Sequence, residues 1–297
     1  VNTTEHAERF TALRPLLFTI AYEILGTATE ADDVLQDSYL RWAEVDLAGV
    51  HDTRAYLARL VTRQSLNALR SASRRREEYV GPWLPEPLLL ADGDAGDDVV
   101  LAESVSMAMM VVLQSLSPDE RAVFVLREVF AFDYAEIAAA VGKSEAAVRQ
   151  IAHRARGHVQ ARRPRFEPVD PKLSEEVTNR FFAAAATGDM AGLLEVLAPD
   201  VVWIADSGGK ASAARRPVRG SDKVSRFIMG LLRGLERTGA RLVPAVYNNA
   251  PALEIYAGER LESIVTVDIV AGRIPRFYAW RNPDKLAAAT VPRRISR

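Results

Sequence analysis

The sequence predicts a multidomain chain of two all-α modules followed by an α+β cone. Three observations carry that expectation. Apolar residues recur at helical spacing from residue 5 to about residue 163, punctuated by hydroxyl, acidic and proline start signals. Two arginine-rich stretches lie within that part, separated by a Pro/Gly/Asp-rich connection. After Pro171 the pattern changes to a few helices and then to alternation of period two. At about 100–200 residues per domain, 297 residues make two or three domains.

Residues 5–25 read as a helix with Phe10, Leu13, Leu17, Ile20 and Ile24 inward, stopped near Gly26. Thr29 is the expected cap of the next helix, with Val34, Leu35, Tyr39 and Trp42 buried and an acidic, Gln-containing outer face. Residues 45–53 form a loop, and Thr53 starts a long helix with Tyr56, Leu57, Leu60, Val61, Leu66 and Leu69 in the core. Its other face carries arginines, so helix and loop together suit duplex phosphates and an unstacked base. Residues 79–98, with Pro82, Pro85, Pro87 and a Gly/Asp run, are a linker carrying an unusual Trp83-Leu84-Pro85-Glu86-Pro87. Residues 99–115 return to helix, with Met107, Met109 and Met110 in the core.

Ser117-Pro118 starts a helix that buries Ala122, Val123, Val125, Leu126 and Val129. Asp133 caps a short helix, Gly142 makes the turn, and Ser144 caps a second helix with Ala147, Val148 and Ile151 inward. Two helices around a glycine turn, the second polar at its start and basic at its end, fit major-groove reading. Arg and Gln near that start suit base edges, and the later arginines suit phosphates.

Residues 164–171 form a second linker. Helices follow at 173–187, 190–198 and 221–235, with strands at 201–206, 240–248, 252–258 and 259–282. Helices followed by a curved antiparallel sheet make a cone able to enclose a pocket, with Trp203, Asp206, Tyr247, Tyr256, Asp268 and Tyr278 as candidate lining residues. All four histidines precede the cone, the last being His158.

Composition narrows the function. The net charge of −1 argues against indiscriminate polyanion binding, but the charge is unevenly placed. Seven arginines and no acid fall within 54–76, and one lysine with six arginines face a lone glutamate within 143–165. Two basic patches separated by an acidic spacer point to two nucleic-acid contacts on one chain. With no cysteine and four scattered histidines, neither a disulfide framework nor a metal site is expected, and no cofactor is implied. No 18-residue apolar run and no signal-peptide pattern occur, so a soluble, cytoplasmic protein is expected.

The ordered set of motifs resembles regions 2 and 4 of a sigma-70 type factor of the extracytoplasmic-function group. TEADDVLQDSYLRW is similar to that family's helix for the polymerase clamp, RAYLARLVTRQSLNALRSASRRR to its −10 element helix, and LSPDERAVFVLREVFAFDYAEIAAAVGKSEAAVRQIAHRAR to its −35 helix-turn-helix. The resemblance implies polymerase binding, through the beta and beta-prime subunits, by Asp32, Asp33, Gln36, Asp37 and Arg41. It implies −10 contacts by Arg54, Arg59, Arg63, Asn67, Arg70 and Arg74, and −35 contacts by Lys143, Ser144, Glu145, Arg149, Gln150, His153, Arg154 and Arg156. Asn67 stands where the group often has Asp, and Ala146-Ala147-Val148 where it often has Gly-Thr-Val.

The third part resembles the SnoaL-like branch of the NTF2-like cone fold. One subgroup of these sigma factors combines all three parts and carries a WLPEP linker, a D-G-G-G-K/R turn and a terminal N-P-D-K. The matching residues are Trp83, Leu84 and Pro85; Asp206, Gly208, Gly209 and Lys210; and Asn282, Pro283, Asp284 and Lys285, with Ser207 departing from glycine. The expected boundaries are region 2 at 1–78, the linker at 79–98, region 4 at 99–163, the second linker at 164–171, the cone at 172–286 and a tail at 287–297. The implied function is an alternative sigma factor, monomeric when free, that binds core polymerase and promoter DNA and is regulated in cis by its cone. A small-molecule ligand in the pocket is an open part of this expectation. Two other readings remain: a ligand-sensing helix-turn-helix regulator, and a SnoaL-type enzyme that moves protons with Asp206 and Asp268.

Overall fold

Three amphipathic helices begin the chain, α1 (Thr3–Leu25), α2 (Ala28–Trp42) and α3 (Thr53–Glu77). The computed structural model describes residues 3–91, 98–162 and 171–297, apart from the side chains of 3, 72–77 and 171. Leu17, Ile20 and Ile24 of α1 and Leu57 and Val61 of α3 are fully buried, which is where the period-3.6 pattern places them. Trp42 closes this core, its indole N–H donating to the His6 carbonyl at 2.9 Å. The α2 helix starts two residues earlier than its sequence suggests. Thr27, in extended backbone, is the residue before the first turn, and its hydroxyl donates to Glu30 instead of capping an amide.

The expected helix over 99–115 is two helices, α4 (Val99–Ser104) and α5 (Met107–Leu113), because Ser106 accepts from the Met109 amide and restarts the helix. Then α6 (Pro118–Phe124) begins with a reciprocal capping box between Ser117 and Glu120. It widens at Val125–Val129 into a π turn, where the Phe130 N–H reaches the Val125 carbonyl at 3.3 Å. A second capping box, Asp133 with Glu136, starts α7 (Tyr134–Val141), and Gly142 leaves it with φ +70°. That left-handed turn feeds α8 (Glu145–Arg162), capped by the Ser144 hydroxyl on the Ala147 amide at 3.3 Å.

The chain divides into two units. The first holds Val1–Glu77, Leu90–Pro164 and Pro292–Arg297, so the last six residues group with the helical part. Arg293 there forms an ion pair with Asp32 at 2.7 Å, and its carbonyl accepts from the Ala91 amide.

The second unit holds Glu78–Leu89 and Arg165–Val291. Helices α9 (Pro171–Thr187), α10 (Met190–Val196) and α11 (Ser221–Thr238) cover one face of a sheet. The strands are β1 (Leu197–Asp206), β2 (Val218–Arg219), β3 (Arg241–Tyr247), β4 (Ala250–Ala257), β5 (Arg260–Val270) and β6 (Arg273–Trp280), in the order β2-β1-β6-β5-β4-β3. The sheet is antiparallel except where β1 runs parallel to β6. The expected single strand over 259–282 is instead a hairpin turning at Ala271-Gly272, both at positive φ. The core beneath the helices centres on Trp203 and Phe277, stacked at 5.2 Å. By strand alternation Tyr278 and Trp280 point to the opposite face. A helix absent from the sequence reading, α12 (Pro283–Ala289), follows, capped by Asn282 with Pro283 at its first position.

Candidate functional site

The outer face of α2 exposes Asp33, Gln36, Asp37 and Arg41. Leu40 is 60% exposed among them, an apolar centre in a charged face that periodicity alone did not single out. Asp32 is half-buried and neutralised by Arg14 and Arg293. On α3, Arg59 stacks on Tyr56, while Arg54 lies over the Phe132 ring at 4.6 Å. Arg63 donates to the Ala139 carbonyl at 2.7 Å, at the exposed end of α7. Arg70 pairs with Asp119 at 2.9 Å, and Asn67 is exposed. Arg74 lies outside the described side chains. The 46–52 loop and α3 frame a cleft of about 240 Å³ lined by His51, Tyr56 and Arg59, with Glu136 and Ala139 of α7 against it.

On α8, Gln150, His153 and Arg154 are exposed beyond a buried seam of Val148, Ile151, Ala155 and Val159. Arg149 pairs with Glu145 at 3.2 Å and lies over Tyr134. Lys143 bonds the same Asp119 that holds Arg70, at 3.0 Å. Burial pushes the Asp119 pKa up, but hydrogen bonds and charge from Lys143 and Arg70 outweigh it and hold the carboxyl below its ordinary value. Arg156 is half-buried and bonded to Glu128 at 2.7 Å and to the Tyr134 hydroxyl, which ties it to its own module. Asp119 joins α3 to the turn that leads into α8, and nothing in its place after Ser117-Pro118 signals more than a first-turn acid.

In the second unit three loop motifs converge on one carboxylate. Asp206, with no exposed surface, accepts from the Tyr79 hydroxyl at 2.5 Å, the Leu84 amide at 2.8 Å and the Lys285 ammonium at 2.7 Å. Lys285 also donates to the Leu84 carbonyl and sits 4.0 Å from the centre of the Trp83 ring, so its charge is met by carboxylate, carbonyl and aromatic face together. The Trp280 indole donates to the Pro85 carbonyl at 2.8 Å, and Asn282 donates to the Tyr79 hydroxyl at 2.8 Å. Burial, reinforced by the hydrogen bond to Asp206, holds the Tyr79 pKa above its ordinary value, so it stays a donor. The turn after β1 fits against this cluster. A Cβ on Gly208 would lie 2.7 Å from the Asn282 amide nitrogen, and one on Gly209 3.1 Å from Val80. Ser207 sits at a position without positive φ, so glycine is not required there, and Lys210 pairs with Asp284. Tyr79, Val80 and Trp280 complete the cluster without appearing among the sequence candidates.

A Sigma-70 region 2 family model matches residues 9–75, and a Sigma-70 region 4 model matches 106–159. The chain is 41% identical to the ECF RNA polymerase sigma factor SigJ of Mycobacterium tuberculosis, over 96% of this chain and 94% of that one. The chain belongs to the extracytoplasmic-function sigma factor family. A probable sigma factor of that family, SigI of the same organism, is 31% identical over 93% of this chain and 92% of its own. The crystal structure of M. tuberculosis SigJ superposes with a TM-score of 0.75 at 36% identity, covering 96% of this chain and 99% of that one. Coverage of that extent takes in the cone as well as both helical modules of this sigma factor.

Within the sigma factor's cone, two adjoining cavities of about 440 and 480 Å³ share Trp203, Leu231, Leu235, Ile255 and Val265. Of the expected lining residues, Trp203 and Tyr256 are there. Asp206 is instead the anchor of the 79–89 segment. Tyr247 is buried and donates to Glu254, and Tyr278 donates to Asp268 at 2.8 Å on the far face of the sheet. Neither Asp206 nor Asp268, the expected proton-moving pair, lines either of these two cavities. Among the described residues, no helix is long and apolar enough to cross a membrane.

Proposed function

We infer that this alternative sigma factor joins core RNA polymerase, at its beta and beta-prime subunits, through the α2 face of Asp33, Gln36, Asp37, Leu40 and Arg41. Asp32 supports that face from its edge. The α3 residues Arg54, Arg59, Arg63, Asn67, Arg70 and Arg74 engage the −10 element, and the cleft beside His51 and Tyr56 takes an unstacked base. Lys143, Ser144, Glu145, Arg149, Gln150, His153 and Arg154 read the −35 element, with Arg156 holding α8 in place. The cone acts in cis through the 79–89 segment and carries a small-molecule site, and the protein works where the polymerase is, in the cytoplasm.

The observation that carries the reading is the pair of sigma-70 modules in order on one chain, covering 9–75 and 106–159. In the first unit Arg63, Arg70 and Lys143 bond to groups of that same unit, so promoter binding requires their release. The test is transcription in vitro by core polymerase with the full chain on a supercoiled template carrying its own promoter. Specific initiation that disappears with Asp33→Arg/Asp37→Arg supports the reading. DNA binding without any initiation would replace it with a ligand-sensing regulator.

A further inference from the structure

The two cavities of the cone are unevenly furnished. The 440 Å³ cavity is walled by α9, α11 and the sheet, with Phe181, Phe182, Leu232, Leu253 and Phe277 among its apolar lining. The 480 Å³ cavity is the more polar, with Ser212, Thr238, Tyr256, Glu262, Ser263 and Arg281 in its lining, and Glu262 and Arg281 mark its charged edge. Glu262 there pairs with two guanidiniums, Arg281 at 3.6 Å and Arg260 outside the lining, so two cations share one carboxylate. Trp203 lies on the wall common to both cavities.

Helix α11 is built to keep this space open. Val224 and Ile228 in its first half are buried, whereas Leu231, Leu232 and Leu235 in its second half line the cavities and remain half-exposed. Protein interiors ordinarily close such gaps. Gly230 and Gly234, one turn apart inside the same helix, both line the larger cavity. A Cβ on either would meet no atom within 4 Å. Alanine would therefore fit at both positions and stabilise the helix, so the glycines give up stability and leave room.

We propose that the joined cavities form a binding site for a fatty-acid-like amphiphile, its acyl chain lying along Trp203 and its carboxylate at Arg281. The proposal rests on the reading of the cone as a regulatory module and names its ligand class. A long apolar body matches the largely apolar walls, and a single anionic head matches the Arg281 end, where two guanidiniums share the Glu262 carboxylate. Arg281 there donates to the Ser212 carbonyl and faces Glu262, and Tyr256 donates to Glu254, so the site orients one head group without demanding a second.

The experiment uses the full chain and cis-parinaric acid, whose polyene emission rises in apolar surroundings and is excited by energy transfer from tryptophan. The expected result is saturable one-to-one binding. Gly234→Leu, which fills the cavity, weakens it at least tenfold without lowering the melting temperature. Arg281→Met weakens the acid at least tenfold and leaves binding of its methyl ester unchanged. Absence of saturable binding, or equal binding by Gly234→Leu, overturns the site. Equal loss of acid and ester in Arg281→Met overturns the assigned head group. Binding is read without polymerase, so its failure leaves the sigma-factor reading standing, and a failure of transcription leaves the binding result intact.

Discussion

Two aspartates each gather donors from distant parts of the sequence, and they do so in opposite surroundings. Asp206 has no exposed side-chain surface, and its cationic partner Lys285 is 6% exposed. Asp119 is 28% exposed, with Arg70 and Lys143 more open still. Burial turns the first into a permanent joint, because either charge left alone in a dry site is expensive. Solvent makes the second joint cheap to open and sensitive to salt. Under the proposed function, nothing replaces Asp206 on the 79–89 segment, whereas promoter phosphates replace Asp119 on Arg70 and Lys143.

The largest expected effect comes from the buried joint. Asp206→Ala leaves Lys285 without its carboxylate and should cost about 3–5 kcal/mol. Thermal unfolding and faster proteolysis around Trp83 would report it. The pair Asp206→Leu/Lys285→Met should recover most of the loss, since replacing both charges by apolar groups removes the penalty. A loss below 1 kcal/mol (about one-fifth of the expected maximum) in the single variant would break the contrast. Gly208→Ala comes next. Its Cβ would collide with the Asn282 amide and the Tyr79 hydroxyl while occupying φ +56°, a combination worth about 1–3 kcal/mol. Gly220→Ala, at φ +91° but with no neighbour within 4 Å, separates the backbone cost from the collision.

How much of this could be read beforehand depended on whether a side chain left a local signature. Ser117, Asp133, Gly142 and Ser144 mark the helix-turn-helix directly, because caps and left-handed turns act within four residues. Thr27 and Thr29 are equivalent candidates by that logic, and only packing of α2 on its neighbours selects the former. Ala271 hides a turn, since alanine rarely takes φ +50°, so two strands read as one. The Asn282-Pro283 pair carries a helix-start signature, a side-chain cap followed by proline, within the loop motif it also forms. Asp206 could be assigned to the pocket or to the linker, because alternation gives a residue's side of a strand and not what lies against it. Asp119, Tyr79 and Trp280 act through partners 24 to 203 residues away in sequence, which no local pattern encodes.

A third carboxylate sharpens the contrast through pH. Glu23 of α1 is fully buried, accepts from Ser104 at 2.6 Å and has its pKa pushed up to about 8. Burial is the main cause, partly offset by the Ser104 hydrogen bond and the Arg121 charge. Glu103, Glu128 and Arg156 line the adjoining cavity. A folded-state pKa above the unfolded one means that the native state binds the extra proton. Stability from this group is therefore full below about pH 4.5, falls as the pH rises, and levels off above about 8. Urea titrations between pH 5 and 8 should show that fall in the native protein and a flatter profile in Glu23→Gln. Parallel profiles would mean that Glu23 keeps its charge and pairs with Arg121 throughout.

The smallest stability change, and the most telling for function, is expected at Asp119. Asp119→Asn removes a partly exposed carboxylate, so unfolding should shift by less than about 1 kcal/mol. The freed Arg70 and Lys143 no longer have to leave an acid before meeting phosphates. Promoter affinity of the assembled polymerase should therefore rise by up to roughly fivefold at low salt, the equivalent of about 1 kcal/mol. The gain should shrink as salt is added, because screening already weakens the ion pair in the native protein. Fluorescence anisotropy of a labelled promoter across a salt series would follow both changes. An unchanged affinity at low salt would mean that the two basic helices are held apart from DNA by something other than this shared aspartate. The Arg63 bonds to the Ala139 and Ala140 carbonyls would then be the next contact to remove.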